Sequence, residues 1–314
     1  MTRTKLKGLN GSNPLGFMAS VGLLRLLERD RQVGGCARLG FTDDGAFHAW
    51  VECDPDLDIA DLVARDAAGA AGPQPWRLEY EKKEKRGIKI VADLKPPPAY
   101  FSKFLALAIT EWSAGHSERA DYAAAYGTDV ARDGKQNTKP TAFHFTAANQ
   151  QFLGTVEETR TLVTKASTKR SLHLPGQTEP GPNLRWDPDA ERSRALMGVN
   201  PNDKGTVVNA PLEWLAFRGL PAFPCVPIGL RIKTCCVTGR RQNELQFHWP
   251  LWSCGASYAT VRSLLVLTVA WTQARDTQRS IEGRNERGVL AVCTSKIRRS
   301  AQGFGNFGPA LVRV

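Results

Sequence analysis

The side chains best suited to chemistry in this sequence are arginines and lysines set beside aromatic rings. In NLRWDPDAERSRAL (183–196), Arg185 precedes Trp186 and Asp187-Pro188, and Arg192 and Arg194 follow. RRQNELQFHWPLW (240–252) opens on Arg240-Arg241 and carries Phe247, Trp249 and Trp252. Arg231 and Lys233 alternate with Ile232, and Arg298-Arg299 lead into the glycine-aromatic stretch SAQGFGNFG (300–308), which contains Asn306. Binding a nucleic acid requires cations that neutralise phosphates and rings on which bases stack. Arg185, Arg192, Arg194, Arg231, Lys233, Arg240, Arg241, Arg298 and Arg299 supply the first, with Asn306 as a close-contact residue. Trp186 has a second reading, as an anchor that fastens an irregular segment to the core. Under it, Arg185, Arg192 and Arg194 face outward to a phosphate backbone or an acidic neighbour.

Other chemistries find less support. Pro55-Asp56 followed by Glu81-Lys82-Lys83 mimics the PD…ExK pattern of restriction-type nucleases, whose carboxylates hold Mg²⁺. Asp56, however, opens an expected helix rather than closing a strand, so a Mg-dependent nuclease using Asp56, Glu81 and Lys83 stands as one alternative to a non-catalytic nucleic-acid-binding reading, and a purely structural assembly subunit whose basic face meets acidic protein partners as the other. Cys225, Cys235, Cys236, His248 and Cys254 lack the Cys-x2–4-Cys spacing of zinc sites, so no metal and no cofactor are expected. His48, His144 and His173 have no evident triad partners, and no Gly-x-Ser-x-Gly, His-Glu-x-x-His or Rossmann glycine pattern occurs.

Charge narrows the function class. Net charge is +11, and it is unevenly distributed. Residues 1–140 hold 20 Lys and Arg against 19 Asp and Glu, whereas residues 141–314 hold 22 against 12. Such asymmetry points to a polyanionic partner for the second half. One large domain is expected, with a possible subdivision into a near-neutral 1–140 and a basic 141–314. The seven cysteines include the adjacent Cys235-Cys236 and fit a reducing compartment better than a disulfide framework. No apolar run approaches a membrane span, and the N-terminal stretch reads as the first structural element. A cytoplasmic protein is therefore expected.

The elements that must position these residues are an irregular mixture. Asn13-Pro14 opens a helix to about Arg31, and a hairpin follows around Asp43-Asp44-Gly45. Further helices are expected at 56–68, 100–113, 118–126, 148–164, 210–220 and 257–275. Strands are expected at 80–94, 142–147, 226–239, 243–252 and 287–300. Residues 127–140 read as a polar loop, and 173–209 as irregular and rich in Pro and Gly. Without a regular βαβ rhythm, the fold class is α+β with mixed sheets and packed helices.

Three stretches together carry a resemblance: NPLGFMASVGLLRLLE, FTAANQQFLGTVEETRTLV, and LRWDPDAERSRAL with the downstream PLEWLAFRGLPAFP. They resemble the small CRISPR-associated proteins of type I cassettes of the I-G (formerly I-U) kind. The first also resembles the start of those systems' larger effector subunits, which are longer than this chain. The resemblance implies a non-catalytic subunit of a crRNA-guided, Cascade-like surveillance complex in antiviral defence. Its partners would be crRNA or target DNA, other effector subunits, and a separate helicase-nuclease that cuts. In such complexes guide pairing reads sequence, while protein reads shape, phosphate and a short flanking motif.

Overall fold

A computed structural model describes residues 2–30, 36–69, 74–84, 87–147, 150–189, 206–274, 277–300 and 303–314. The fold is α+β. Strands β1 (Thr2–Asn10), β2 (Arg38–Phe41) and β3 (His48–Cys53) form an antiparallel sheet in the order β1-β3-β2, with helix α1 (Pro14–Arg29) between β1 and β2 in the chain. Helix α2 (Ile59–Ala68) leads to the ribbon of β4 (Glu79–Glu84) and β5 (Gly87–Ala92), then to α3 (Pro98–Ser113), α4 (Glu118–Tyr126) and the β6 (Gly127–Arg132)–β7 (Thr138–Pro140) hairpin. After α5 (Phe152–Thr161) and α6 (Lys165–His173), the short strands β8 (Glu179–Pro180) and β9 (Val207–Val208) pair before α7 (Ala210–Gly219). The β10 (Cys225–Ile228)–β11 (Arg231–Thr234) hairpin follows. A second antiparallel sheet runs in the order β12 (Val237–Thr238), β13 (Gln246–Trp252), β14 (Val289–Arg299), β15 (Gly305–Arg313). Helices α8 (Tyr258–Gln273) and α9 (Thr277–Asn285) connect β13 to β14. Among the described residues no helix is long and apolar enough to cross a membrane.

Helix α1 is the pivot of the core. Asn13 caps it by accepting from the Leu15 and Gly16 amides, Pro14 takes the first turn, and every residue from Pro14 to Leu27 is buried. Burial on all sides requires a neighbour at close range, and α7 provides it. A Cβ on Gly22 would overlap the Leu215 carbonyl, and one on Gly219 would press against the Met18 carbonyl. Glycine at both positions lets the two backbones touch. On another side, Phe17 meets Phe41, Phe247, Trp249 and Trp252. Trp249 Nε1 donates to the Gly11 carbonyl at 2.8 Å and Trp252 Nε1 to the Leu39 carbonyl at 2.7 Å, so the buried indoles join the two sheets without an unsatisfied donor.

Complete burial also encloses Arg25, which an anionic network compensates. Arg25 reaches Asp121 at 3.1 Å, while Arg218 of α7 reaches Glu118 at 2.7 Å, Asp66 at 3.1 Å and the Tyr122 hydroxyl at 2.9 Å. Burial opposes the Arg218 charge, but Tyr122, Asp66 and Glu118 together outweigh it and raise its pKa.

The Asn183–Asp189 segment answers the question its sequence poses. Trp186 is fully buried, packs on Phe152 and donates from Nε1 to the Phe143 carbonyl at 3.0 Å. Asn13 Nδ2, on the residue that caps α1, donates to both Asp187 and Asp189 at 3.0 Å. The Leu184 amide donates to buried Glu213 at 2.6 Å. The segment is thus stitched to both central helices.

Several expectations are corrected. The expected strand at 142–147 is a turn-rich connection with no strand assignment, because its carbonyls serve side chains: Phe143 accepts from Trp186, and Ala142 and His144 accept from Arg299. The polar loop at 127–140 is the β6–β7 hairpin. The charged stretch at 79–92 is a two-stranded ribbon rather than one strand. The expected helix at 148–164 is confined to α5, and a second helix, α6, starts at a capping box between Thr164 and Ser167. The end of the chain, Gly305–Arg313, is strand β15.

Burial raises the Glu213 carboxyl to about 8, against the Leu184 hydrogen bond and with help from Asp187. The folded state therefore keeps a proton that the unfolded chain releases above its ordinary value of 4.5. Stability falls as pH rises from about 4.5 to 8 and then levels, a loss of roughly 5 kcal/mol at most. Glu213→Gln retains an acceptor for Leu184 and removes this titration. Urea denaturation between pH 5 and pH 8 is expected to give a flatter stability profile than wild type.

Candidate polyanion-binding cavity

Five of the basic residues singled out by sequence line one cavity of about 720 Å³: Arg231, Lys233, Arg240, Arg241 and Arg299. Lys95 and Lys139 join them, and among the described residues Asp133 is the one carboxylate in the lining. Thr141, His144, Thr234, Thr238 and Gln242 add polar groups.

Local rules explain the arrangement. Gly229, at φ 59°, allows the tight turn of the β10–β11 hairpin, whose register pairs Arg231 with Ile228 and Lys233 with Val226. Residues two apart on a strand share a face, so Arg231 and Lys233 act together. Gly239, at φ 103°, lies against the Glu244 carbonyl where a Cβ would collide, and this close turn sets Arg240 and Arg241 at the cavity edge. The hairpin is sealed to the rest of the wall by Thr234 Oγ1, which accepts from the Ala142 amide at 2.9 Å. The Thr138 amide donates to the Pro96 carbonyl at 2.9 Å, holding Lys139 near Lys95 in the chain's packing. Arg299 donates to the Ala142, His144 and Gly303 carbonyls and lies 5.7 Å from the Phe145 ring centroid.

Two populations stand out among the protein's cations. Those in the core network, Arg25, Arg29 and Arg218, meet carboxylates. Among the described residues Lys95, Lys139, Arg231, Lys233, Arg240 and Arg299 form no ion pair, and Arg241 has only Glu244 at 3.9 Å. The Asp133 carboxylate is turned to its own loop, accepting from the Lys135 and Asn137 amides. Asp93, close to Lys95 in sequence, is engaged by His144 Nε2 at 2.8 Å and by the Phe152 amide at 3.1 Å. Burial lowers the Lys95 pKa, with Asp93 opposing and Arg299 adding repulsion, and burial also lowers that of Arg299. Gathering unpaired cations around a partly dry cavity is costly without an anion.

The remaining candidates lie elsewhere. Arg185 has φ 62° and covers the Phe304 ring at 4.5 Å, beside a small separate pocket with Asp187 and Glu213. Arg298 is exposed on the face of β14 opposite Ile297 and Arg299, across from Asn306. Arg192 and Arg194 lie outside the described residues. Asp56 sits in the turn before α2, its amide bound to Asp54, whereas Glu81 and Lys83 are exposed on the β4–β5 ribbon; none of the three lines the cavity. Among the described residues no group of three or more His, Cys, Asp and Glu side chains could hold a metal ion. His248 has both ring nitrogens on hydroxyls, Thr238 and Thr294. His144, which has no evident partner in the sequence, gains Asp93, 51 residues away.

Sequence reasoning missed Lys95 and Lys139. Each is an isolated cation followed by proline, in LKPPP and TKP, and the Lys-Pro step that keeps the lysine backbone extended was the only local signal. The sequence matches no protein-family model and no curated protein.

The two populations of cations should respond oppositely to truncation. Arg218→Ala removes the arginine that faces Asp66, leaving that carboxylate only the Trp214 indole, and takes from Glu118 one of its three arginines; it is expected to cost about 3–5 kcal/mol. Lys233→Ala removes only repulsion and exposed chain, so the expected change is within about 0.5 kcal/mol. Chemical denaturation of the two variants checks the contrast.

Proposed function

We propose that this protein binds nucleic acid through the cavity between β7, the β10–β11 hairpin and the end of β14. The observation that carries the reading is the concentration of seven Lys and Arg around one cavity, six of them without a carboxylate among the described residues. A nucleic-acid backbone supplies the missing negative charge at regular spacing and releases counterions as it binds. The volume, about 720 Å³, falls in the range of pockets for small ligands, about 300–1,000 Å³. A duplex is too broad to enter such a space, so the strand bound there is single. Among the described residues no Phe, Trp or Tyr lines the cavity, which favours contact with phosphates over stacking on bases.

The resemblance supplies the setting. In this reading the protein is a non-catalytic subunit of a crRNA-guided type I CRISPR effector complex that contacts guide or target backbone, while a separate helicase-nuclease cuts. Trp186 of the stitched Asn183–Asp189 segment holds the Phe143 carbonyl, between the lining residues Ala142 and His144, and so fastens that wall of the cavity to the core.

Fluorescence anisotropy with single-stranded DNA and RNA across a salt series tests the proposal. Each phosphate neutralised contributes about 0.7 to the slope of log affinity against log salt. Arg240→Ala with Arg241→Ala, and Arg231→Ala with Lys233→Ala, are each expected to lower the slope by about 1–1.5. Arg298→Ala should leave it unchanged. Binding that is insensitive to both cavity pairs, or absent at low salt, would contradict the reading.

A further inference from the structure

The cations around the cavity differ in depth. Arg231, Lys233, Arg240 and Arg241 are exposed, whereas Lys95, Lys139 and Arg299 are partly buried, and Lys95 and Arg299 lie beside the fully enclosed His144. Neither of the two cations beside His144 forms an ion pair among the described residues. Asp93, the carboxylate nearest Lys95 in sequence, is occupied by His144 and the Phe152 amide. Arg299 directs its terminal nitrogens to backbone carbonyls, and its buried Nε has no hydrogen-bond partner.

Two adjacent, partly desolvated cations are best matched by a group of charge near −2 with several free oxygens. An internal phosphodiester carries one charge and has two of its oxygens tied to sugars. A phosphate monoester at a strand end carries about −1.5 to −2 and presents three strong acceptors. The graded burial favours the same ligand, since an end enters a cavity where a continuous strand must pass across its mouth. We propose that the inner part of the cavity binds the terminal phosphate monoester of a single strand, held by Lys95 and Arg299, while the exposed arginines and lysine follow the adjoining backbone. This rests on the nucleic-acid reading above and adds to it a preference for ends over internal chain. The lack of stacking rings makes the preference independent of the terminal base.

The test uses the full chain and labelled oligonucleotides of one sequence in four forms: 5′-phosphorylated, 3′-phosphorylated, hydroxyl at both ends, and circular. One phosphorylated form is expected to bind roughly ten- to hundredfold more tightly than the hydroxyl-ended and circular forms, the gain of an added charge-assisted contact. The 5′ and 3′ arms identify which end enters. The advantage should shrink as pH falls from 7.5 to 5.5, because the monoester gains a proton near pH 6 and becomes a monoanion, whereas diesters do not titrate there. Lys95→Met, which keeps the stem, should abolish the preference and retain the salt-dependent affinity common to all forms. Equal affinity for all four forms would overturn the end-binding proposal and leave nucleic-acid binding standing. A preference that survives in both Lys95→Met and Arg299→Gln would also overturn it. Failure of every form to bind would instead overturn the nucleic-acid reading on which it rests.

Discussion

The contact on which the rest of the structure depends is the backbone approach of α1 and α7 through Gly22 and Gly219. Because the two helices meet without side chains between them, α1 is enclosed on all sides, and Arg25 goes inside with it. A buried guanidinium is tolerable only beside anions. Glu118 and Asp121 of α4 and Asp66 of α2 meet this demand, and they draw Arg29 and Arg218 into the same network. Three carboxylates are thereby committed to the core. The aromatic side of α1, through Phe17, fixes the relation of the two sheets and so the foundation of the strands that border the cavity.

The cavity is the complement of that arrangement. Its cations come from short hairpins, from two Lys-Pro steps and from the end of β14, all at the margins of the core, where no carboxylate is left to meet them. Asp93 and Asp133 are the nearest exceptions, and each is committed elsewhere, one to His144 and one to its own loop. The same physical demand, that a poorly hydrated charge find its opposite, is met internally around Arg218 and left open around Arg299. An anionic ligand completes it.

How much of this was legible in the sequence depends on range. Asn13-Pro14 and the apolar spacing after it mark α1, since capping and periodicity are local. Trp186 reads correctly as an anchor because Asp187-Pro188 breaks any regular element around it. Strand β1, TRTKLKGLN, has one exposed face and carries basic residues on it, so it shows no apolar run. Strand β15 begins with glycines and reads as a loose tail, yet its pairing with β14 makes it a strand. AFHFTA alternates like a strand, but its carbonyls are taken by Arg299 and Trp186 from distant positions. Within the cavity, the paired cations at 231/233 and 240/241 were visible because a turn brings neighbours together. Arg298-Arg299 was visible as a pair, but strand alternation sends only Arg299 inward. Lys95 and Lys139 converge through tertiary packing alone.

The central claim is that the unpaired cations form one surface that an anionic strand covers. Lysine acetylation footprinting, read by mass spectrometry with and without a saturating single-stranded oligonucleotide, tests it most directly. The account predicts protection of Lys95, Lys139 and Lys233 together, with the exposed Lys82, Lys83 and Lys89 of the β4–β5 ribbon reacting as before. Protection of the ribbon lysines in their place, or no protection at Lys95, Lys139 and Lys233 under saturation, would contradict it.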